Sequence, residues 1–282
     1  MNTPKFAFFG TPKFAADILE GLALRGILPA VVITSPDKPQ GRKLTLTPSE
    51  VKIRAKERNI PVLEPEKLDE HFSAEIKSFD CELFVLAAYG KIFPQEIIDI
   101  PKHGILVWHP SLLPKLRGAS PMISAILTEE KTGVTIMAMD EKMDHGPIIA
   151  QKELEGIVWP PHIAELEKSL AEMGAELLAE TIPAWVSGKI IATPQDHELA
   201  TFCKKIKKED GLIDPEGNAE QNYRKFCAFE KWPRTYFFKE VGGKNLRIII
   251  TDAALEDGKF VIKKVLPEGG REASWEEFQK RF

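Results

Sequence analysis

Apolar runs alternate with amphipathic segments through the N-terminal part of the chain. Runs that stop at turn residues predict buried strands, and apolar positions three or four residues apart predict helices. The predicted strands lie in KFAFFG, LPAVVITSPD, CELFVLAAYG and GILVWHP, and the predicted helices in TPKFAADILEGLALRG, PSEVKIRAKERN, SPMISAILTEEK and residues 162–185. Because the runs are continuous, they indicate strands buried on both faces. We predict an α/β fold with a Rossmann-like, mostly parallel sheet and helices on both faces.

The pattern changes towards the C-terminus. GVTIMAMD and GPIIAQKELE predict a hairpin at the sheet edge, and beyond the long helix short β-like runs alternate with turns. These runs lie in ATFCKKIKKEDGLID, RTYFFKEVGGKNLRIIITDA and GKFVIKKVLPEGG. Such spacing is typical of a small antiparallel barrel. We therefore predict a larger domain over 1–187, a linker over 188–200 and a smaller β-rich, OB-like barrel over 201–282.

Composition restricts the class of protein. The 282 residues are 43% hydrophobic and 28% charged, with a formal net charge of −4, which is typical of a globular protein with a core. Cys81, Cys203 and Cys227 are widely spaced and predict neither a disulfide framework nor a zinc site. No run approaches the ~18 apolar residues of a membrane span. We expect a cytoplasmic monomer that binds no metal and no membrane.

Titratable groups follow two of the predicted strands. His109 ends GILVWHP, and an acidic group follows GVTIMAMD, consisting of Asp140, Glu141 and Asp144 beside His145. In an open α/β sheet ligands bind beyond the carboxyl ends of the strands, so we expect both segments to meet there. A histidine oriented by a carboxylate is suited to general acid–base chemistry. From spacing alone, a structural His109 and a turn-capping Asp144 remain an equal alternative.

Several other kinds of active site are disfavoured. The turn in FFGTPKFAA has one glycine, so a dinucleotide fingerprint is absent, and no GxxxxGK[ST] phosphate loop occurs. There is no GxSxG elbow, and Ser111 has no acidic neighbour that would complete a nucleophilic triad. The histidine and the acidic group therefore remain the main candidates for chemistry.

HPSLLPKLRGASP at 109–121, followed by TGVTIMAMDEKMDHGPI at 132–148, closely resembles a known signature. It is similar to that of the formyltransferases that use 10-formyltetrahydrofolate, in which His-x-Ser-Leu-Leu-Pro precedes an Asp-x-Gly turn. FFGTPKFAADIL, PDKPQGRKLTLTPSEVK, LAAYGKIFP and FCAFEKWPRTYFF resemble further segments of the family in the same order. The resemblance covers nearly the whole chain, and it is strongest to the members that formylate methionyl-initiator tRNA.

The resemblance implies a reaction and a set of residues. A formyl group would move from N10 of the folate to the α-amine of methionine on initiator tRNA, through a tetrahedral intermediate. His109 matches the catalytic histidine and Asp144 the catalytic aspartate, whose carboxylate holds the imidazole and shifts its proton affinity. The folate-binding segment matches Ser111, Leu112, Leu113 and Pro114. The pterin pocket is expected to be walled by Tyr89, Gly90, Ile92, Met139 and Asp140.

One position departs from the family pattern. The family has Asn-x-His where this chain has Val107-Trp108-His109. Alternate residues of a strand share a face, so Val107 points to the site, and a valine cannot donate a hydrogen bond to the formyl oxygen. Loss of one such donor costs about 10²–10³ in rate. The enzyme would be weakened, or Ser111, Ser120, water or backbone would supply the donor, or the site is altered.

The resemblance also implies contacts with transfer RNA. Phosphates are held by lysine and arginine, and the matching loop carries Arg42 and Lys43. The C-terminal candidates include Lys204, Lys205, Lys207 and Arg224. Such side chains also occur as ordinary solvated surface. Alternatives to the initiator-tRNA reaction are a sugar-amine formyltransferase, a formyltetrahydrofolate hydrolase and a non-catalytic folate or tRNA binder. The KPQGRKL loop and the C-terminal segments favour tRNA as the acceptor. Val107 favours the non-catalytic alternative.

Overall fold

The fold is taken from a computed structural model that describes residues 4–40, 44–128 and 131–281. The chain forms two compact units, each assembled from several segments. The first unit consists of Met1–Arg117, Thr132–Leu154 and Glu167–Phe202, and the second of Gly118–Lys131, Glu155–Leu166 and Cys203–Phe282. The domain limits at 187 and 201 stay a prediction. None of the helices among these described residues has the length and hydropathy of a membrane-spanning segment.

The described residues form strands and helices in the following order. The strands are β1 (Phe6–Gly10), β2 (Val31–Ile33), β3 (Lys38–Gln40), β4 (Thr45–Thr47), β5 (Val62–Leu63), β6 (Leu83–Ala87), β7 (Ile105–His109), β8 (Arg117–Gly118), β9 (Gly133–Ala138), β10 (Ile148–Glu153), β11 (Phe202–Cys203), β12 (Tyr236–Val241), β13 (Lys244–Glu256), β14 (Lys259–Pro267) and β15 (Ala273–Ser274). The helices are α1 (Lys13–Leu24), α2 (Glu50–Glu57), α3 (Glu70–Lys77), α4 (Gln95–Ile98), α5 (Pro121–Thr128), α6 (Ile163–Val186), α7 (Ala219–Ala228) and α8 (Trp275–Arg281).

The first unit is built on a seven-stranded sheet with the order β10-β9-β7-β6-β1-β2-β5. The pairs from β7 to β5 are parallel, whereas β9 is antiparallel to both β7 and β10. This confirms the mostly parallel sheet, the β9–β10 hairpin and its place at the edge. All five residues of β1 are buried, as the continuous apolar run predicts for a strand covered on both faces.

Helices pack against both faces of this sheet. On one face Phe9 is surrounded by rings from α3 and the loops after β6, with centroid distances of 6.3 Å to Phe72, 5.5 Å to Tyr89 and 5.1 Å to Phe93. On the other face the ring of Trp108 in β7 lies 5.5 Å from that of Phe14 in α1. These aromatic clusters bury the apolar runs that define the strands.

The direction of β9 corrects one expectation. Residues following β7 and β9 were expected to leave the sheet at the same edge. In the antiparallel register Thr135 lies opposite His109, and Ala138, the last residue of β9, lies opposite Leu106. The loop after β9 therefore starts near the beginning of β7 and has to fold back to reach the level of His109.

The second unit contains a four-stranded antiparallel sheet with the order β12-β13-β14-β15. Its core includes Phe237, Ile248, Val265 and Phe278, which is 1% exposed. The predicted C-terminal antiparallel β domain is confirmed. The sequence interpretation did not include α7, which begins after Asn218, whose side chain accepts a hydrogen bond from the backbone N–H of Gln221 at 2.9 Å.

One predicted β-like run, ATFCKKIKKEDGLID, is wrong over most of its length. Only Phe202–Cys203 is a strand, and Lys208–Gly211 forms a 3₁₀ helix. The carboxylate of Asp210 accepts a hydrogen bond from the backbone N–H of Lys207 at 2.6 Å. Such local side-chain bonds compete with strand pairing, because they occupy a donor that a ladder would need.

Trp108 requires a glycine in the long helix α6. A Cβ atom added at Gly174 would lie 1.9 Å from Trp108 Nε1 and 2.6 Å from its Cδ1. The indole is 3% exposed, and its Nε1 has no hydrogen-bond partner among the described residues. The helix can approach the sheet at this point only because position 174 has no side chain.

We expect Gly174→Ala to lower the free energy of unfolding by about 1–3 kcal/mol, because the added methyl group overpacks the contact with Trp108. Chemical denaturation measures this change. In a Trp108→Leu background the same substitution should cost less, since the indole is gone. An equal cost in both backgrounds would contradict the steric explanation.

Candidate active site

His109 is buried at the end of β7. Its side chain faces the same side of the sheet as Val107, and the residue as a whole is 4% exposed. The Nδ1 atom of His109 lies 3.7 Å from Oδ1 of Asp144, and Nε2 lies 3.1 Å from the carbonyl oxygen of Leu116. The structure thus brings together the histidine and the aspartate named in the sequence analysis, although the loop carrying Asp144 starts at the far end of β7.

The contacts of His109 define its tautomer and its charge. A carbonyl oxygen only accepts, so Nε2 carries the hydrogen that it donates to Leu116, and Nδ1 presents a lone pair in the neutral ring. Burial lowers the pKa of His109. The Asp144 carboxylate and the Leu116 carbonyl oppose this change, whereas the charge of Arg117 adds to it. The imidazole is therefore neutral at pH 7, with a proton-accepting atom facing a carboxylate.

Val107 lies in apolar surroundings. It is 8% exposed and belongs to the core cluster that contains Ile105, Leu113 and Met137. The hydroxyl of Ser111, one candidate for the missing donor, donates to the carbonyl oxygen of Lys115 at 2.6 Å. Its hydrogen is used within its own turn, which weakens Ser111 as a substitute. Ser120, another candidate for the missing donor, belongs to the second unit, whereas His109 belongs to the first.

A buried threonine holds the segment from Ser111 to Pro114. Thr135 Oγ1 donates to the carbonyl oxygen of Ser111 at 2.6 Å and accepts from the backbone N–H of Leu113 at 3.1 Å. Gln151 Nε2 donates to the carbonyl oxygen of Leu113 at 2.9 Å. Leu113 is buried, and Leu112 and Pro114 are half-buried. Sequence reasoning missed Thr135, although a polar residue within the buried run GVTIMA is a signal for such a contact.

A cavity of about 320 Å³ lies beside the loop after β9. Two of the expected pterin-pocket residues, Met139 and Asp140, line it. The other lining residues are Gln95, Ile98, Glu141, Lys142 and His145. Mixed apolar and polar walls of this size suit a flat heterocycle of the pterin class.

The other expected pocket residues are not among those that line this cavity. The Tyr89 ring is in the aromatic cluster around Phe9, and its hydroxyl is buried without a hydrogen-bond partner among the described residues. Burial raises the pKa of Tyr89. Gly90 has a φ of 78°, and Ile92 is 94% exposed. Their contribution to a pterin site stays a prediction.

Two further histidines, His145 and His197, form a stacked pair beside the loop that carries Asp144. His145 Nδ1 is 2.6 Å from Asp140 Oδ2, and its ring stacks on His197 at 3.9 Å. His197 Nδ1 accepts a hydrogen bond from Arg117 Nη2 at 2.9 Å. Partial desolvation lowers the pKa of the exposed His197, and the charges of His145 and Arg117 add to the effect. The sequence interpretation did not include Arg117 or His197, because they are distant from Asp144 along the chain.

The basic residues predicted to contact tRNA differ in placement. Arg42 and Lys43 lie outside the described residues. Lys204, Lys205 and Lys207 are exposed. Arg224 is 4% exposed and donates to the carbonyl oxygen of Ile126 at 3.0 Å, so its guanidinium is used within the fold. In the ranges that the structure covers, no group of three or more histidine, cysteine or acidic residues could hold a metal ion.

The chain is similar to known proteins over most of its length. Residues 4–182 match the family described as formyl transferase. A methionyl-tRNA formyltransferase of Halalkalibacterium halodurans is 43% identical over 234 residues, covering 82% of this chain and 74% of the relative. A methionyl-tRNA formyltransferase of Chloroflexus aurantiacus is 42% identical over 270 residues, covering 94% and 86%.

A solved structure gives the same fold at low sequence identity. HypX from Aquifex aeolicus in complex with tetrahydrofolic acid superposes with a TM-score of 0.65 at 16% identity, covering 98% of this chain and 47% of that chain. The family match extends over more than half of the chain and includes β7, the loop after β9 and most of α6. On these findings the chain belongs to the formyl transferase family.

Proposed function

We propose that this protein is a methionyl-tRNA formyltransferase, which transfers a formyl group from 10-formyltetrahydrofolate to the α-amine of methionine on initiator tRNA. The observation that carries the proposal is the buried, neutral imidazole of His109 with its lone pair 3.7 Å from the carboxylate of Asp144, within a formyl transferase fold. Relatives of that name, 43% and 42% identical, support the choice of acceptor.

The geometry supports a specific path for the proton. An attacking amine has to lose a proton as its nitrogen bonds to the formyl carbon, and Nδ1 of His109 is the atom that can take it, because Nε2 already donates to Leu116. When the tetrahedral intermediate collapses, the bond from the formyl carbon to N10 breaks, and the imidazolium would return the proton to N10, so that tetrahydrofolate leaves as a neutral amine. Protonation creates an imidazolium opposite the Asp144 carboxylate, and this pairing is an attraction that the neutral ring lacks. Asp144 therefore stabilises the charge that develops in the transition state.

The folate co-substrate would supply the formyl group as an amide-like acyl donor. Met139 and Asp140 would hold its pterin in the cavity beside the loop, with backbone groups meeting the ring edge and Ile98 covering a face. Leu113, held in place by Thr135, would continue the binding surface towards His109. We also propose that the enzyme uses no metal and is a monomer in the cytoplasm. These proposals rest on the sequence alone.

Transfer of a labelled formyl group from 10-formyltetrahydrofolate to methionyl-initiator tRNA tests the proposal. We expect formylmethionyl-tRNA as the product, and loss of transfer in His109→Gln. Release of formate without a tRNA product would instead indicate a formyltetrahydrofolate hydrolase. Binding of tRNA without either product would indicate a non-catalytic homologue and would contradict the proposed activity.

We expect Val107→Asn to raise the rate of formyl transfer at least tenfold, toward the about 10²–10³ that one oxyanion donor supplies. The added amide would lie on the face of β7 that carries His109. Steady-state kinetics with both substrates measures the change, and Val107→Leu, which adds no donor, should show no gain. A rate for Val107→Asn equal to or below that of the wild type would refute the role assigned to this position.

The titration of His109 should reflect its burial. We expect NMR to give a pKa below the ordinary 6.5 in the wild type, and Asp144→Asn should lower this pKa further, because the carboxylate favours the charged ring. His109→Gln identifies the resonance among those of the six histidines. A His109 pKa that rises on removal of Asp144 would contradict the assigned electrostatics.

The basic loop should contribute a phosphate contact. We expect Arg42→Ala to weaken tRNA binding and to flatten the plot of log affinity against log salt by about one unit. Filter binding or fluorescence titration over a range of salt concentrations measures the slope. Arg54→Ala, which alters an exposed arginine paired with Glu57 at 2.9 Å, is the matched control and should leave the slope unchanged. An unchanged slope for Arg42→Ala would contradict a phosphate contact by this residue.

A further inference from the structure

Gln195 is a buried amide between the segment after His109 and the loop that carries Asp144. It is 6% exposed, although it lies in the stretch that the sequence predicts as a linker. Its Nε2 donates to the carbonyl oxygens of Asp144 at 3.0 Å and Gly146 at 2.7 Å. Its Oε1 accepts from Arg117 Nε at 3.2 Å and Nη2 at 2.5 Å. Both amide hydrogens and the amide oxygen are thus used.

The backbone around Gln195 is anchored to the sheet. Thr193 forms an isolated antiparallel bridge with Ile148, the first residue of β10, and the two N–H···O distances are both 2.8 Å. Gln195 follows two residues later, where its side chain reaches the loop that precedes β10. The segment therefore acts as a fixed support for that loop.

Asp144 adopts a backbone conformation that needs support. Its φ is 52°, in the left-handed region that residues with a side chain adopt uncommonly. Such conformations persist where surrounding contacts determine them. Gln195 binds the carbonyl of Asp144 itself and that of Gly146, on either side of His145, so it holds the turn from which the carboxylate points to His109.

The other side of the amide reaches the partner of His109. Arg117 directly follows Leu116, whose carbonyl oxygen sets the tautomer of His109. Arg117 is 3% exposed, so its bond to Gln195 is shielded from water and is stronger than an exposed one. One side chain therefore ties the segment that orients the imidazole to the loop that supplies the carboxylate.

We infer that Gln195 is a positioning residue for formyl transfer, which holds the Asp144 carboxylate in register with Nδ1 of His109. The inference rests on the proposed function for its kinetic consequence. In this role Gln195 acts through Asp144 and makes no contact with either substrate. Misplacement of a catalytic group by about 1 Å can cost a hundredfold in rate, so a residue of this kind has a large effect on kcat.

Gln195→Met keeps the length of the side chain and removes both donors and the acceptor. We expect kcat to fall about ten- to a hundredfold with little change in KM for methionyl-tRNA. The pKa of His109, followed by NMR, should fall toward its value in Asp144→Asn. In the Asp144→Asn background, Gln195→Met should change neither kcat nor this pKa further, because the carboxylate that it positions is absent.

A second variant and a control separate positioning from a loss of fold. Gln195→Asn retains an amide but is one methylene shorter, so it should fold and show a smaller change in the same direction. Asn222→Leu removes another buried amide, which donates to the carbonyl oxygen of Asp214 at 2.7 Å in the second unit. This control should lower stability without changing the pKa of His109.

The readouts distinguish the inference from the proposed function. An unchanged or raised pKa of His109 in both Gln195 variants, or an equal effect with and without Asp144, would overturn the positioning role. Absence of formyl transfer by the wild type would reject the proposed function. The NMR titration requires no substrate, so it would still decide whether Gln195 places the carboxylate.

Discussion

The site depends on how a neutral imidazole is buried between two oxygen atoms of different kinds. The carbonyl oxygen of Leu116 takes the Nε2 hydrogen, and the carboxylate of Asp144 lies 3.7 Å from the other ring nitrogen. Burial removes the water that would otherwise stabilise the imidazolium, so the ring stays neutral until a proton arrives. The carboxylate then pairs with the new charge. The burial of the ring follows from the position of His109 at the end of a strand that is covered on both faces.

The reversal of β9 gives this arrangement its particular requirements. A parallel strand in this position would release its following loop beside His109, whereas the antiparallel β9 releases it beside Leu106. The intervening length of β7 is three residues, or about 10 Å. The loop has to cover this distance and still present Asp144, and it does so with a left-handed residue and with support from Gln195. A hairpin alone would not specify that return.

Val107 is an apolar residue on the face of β7 that carries His109. An apolar side chain suits the cluster that it shares with Met137 and Leu113, so the strand packs well. In the proposed reaction, the same side chain would provide no hydrogen bond to the formyl oxygen. Thr135, Arg117 and Gln195 remain in position around His109. Packing therefore favours the valine at this position, whereas the proposed reaction would favour a hydrogen-bond donor.

Much of the fold and part of the site were decided by the sequence alone. Continuous apolar runs such as KFAFFG can only be buried on both faces, so they define the parallel sheet and its helices, and the His-x-Ser-Leu-Leu-Pro segment identifies the family. Only the tertiary structure decided which distant residues meet. Gln195 and His197 come from a stretch without periodicity; Gln195 reaches Asp144, and His197 reaches His145, from a segment anchored where Thr193 pairs with Ile148. The direction of β9 relative to β7 also belongs to this second group. A periodic pattern reports which residues are buried, whereas the direction of β9 depends on which neighbour accepts its backbone hydrogen bonds.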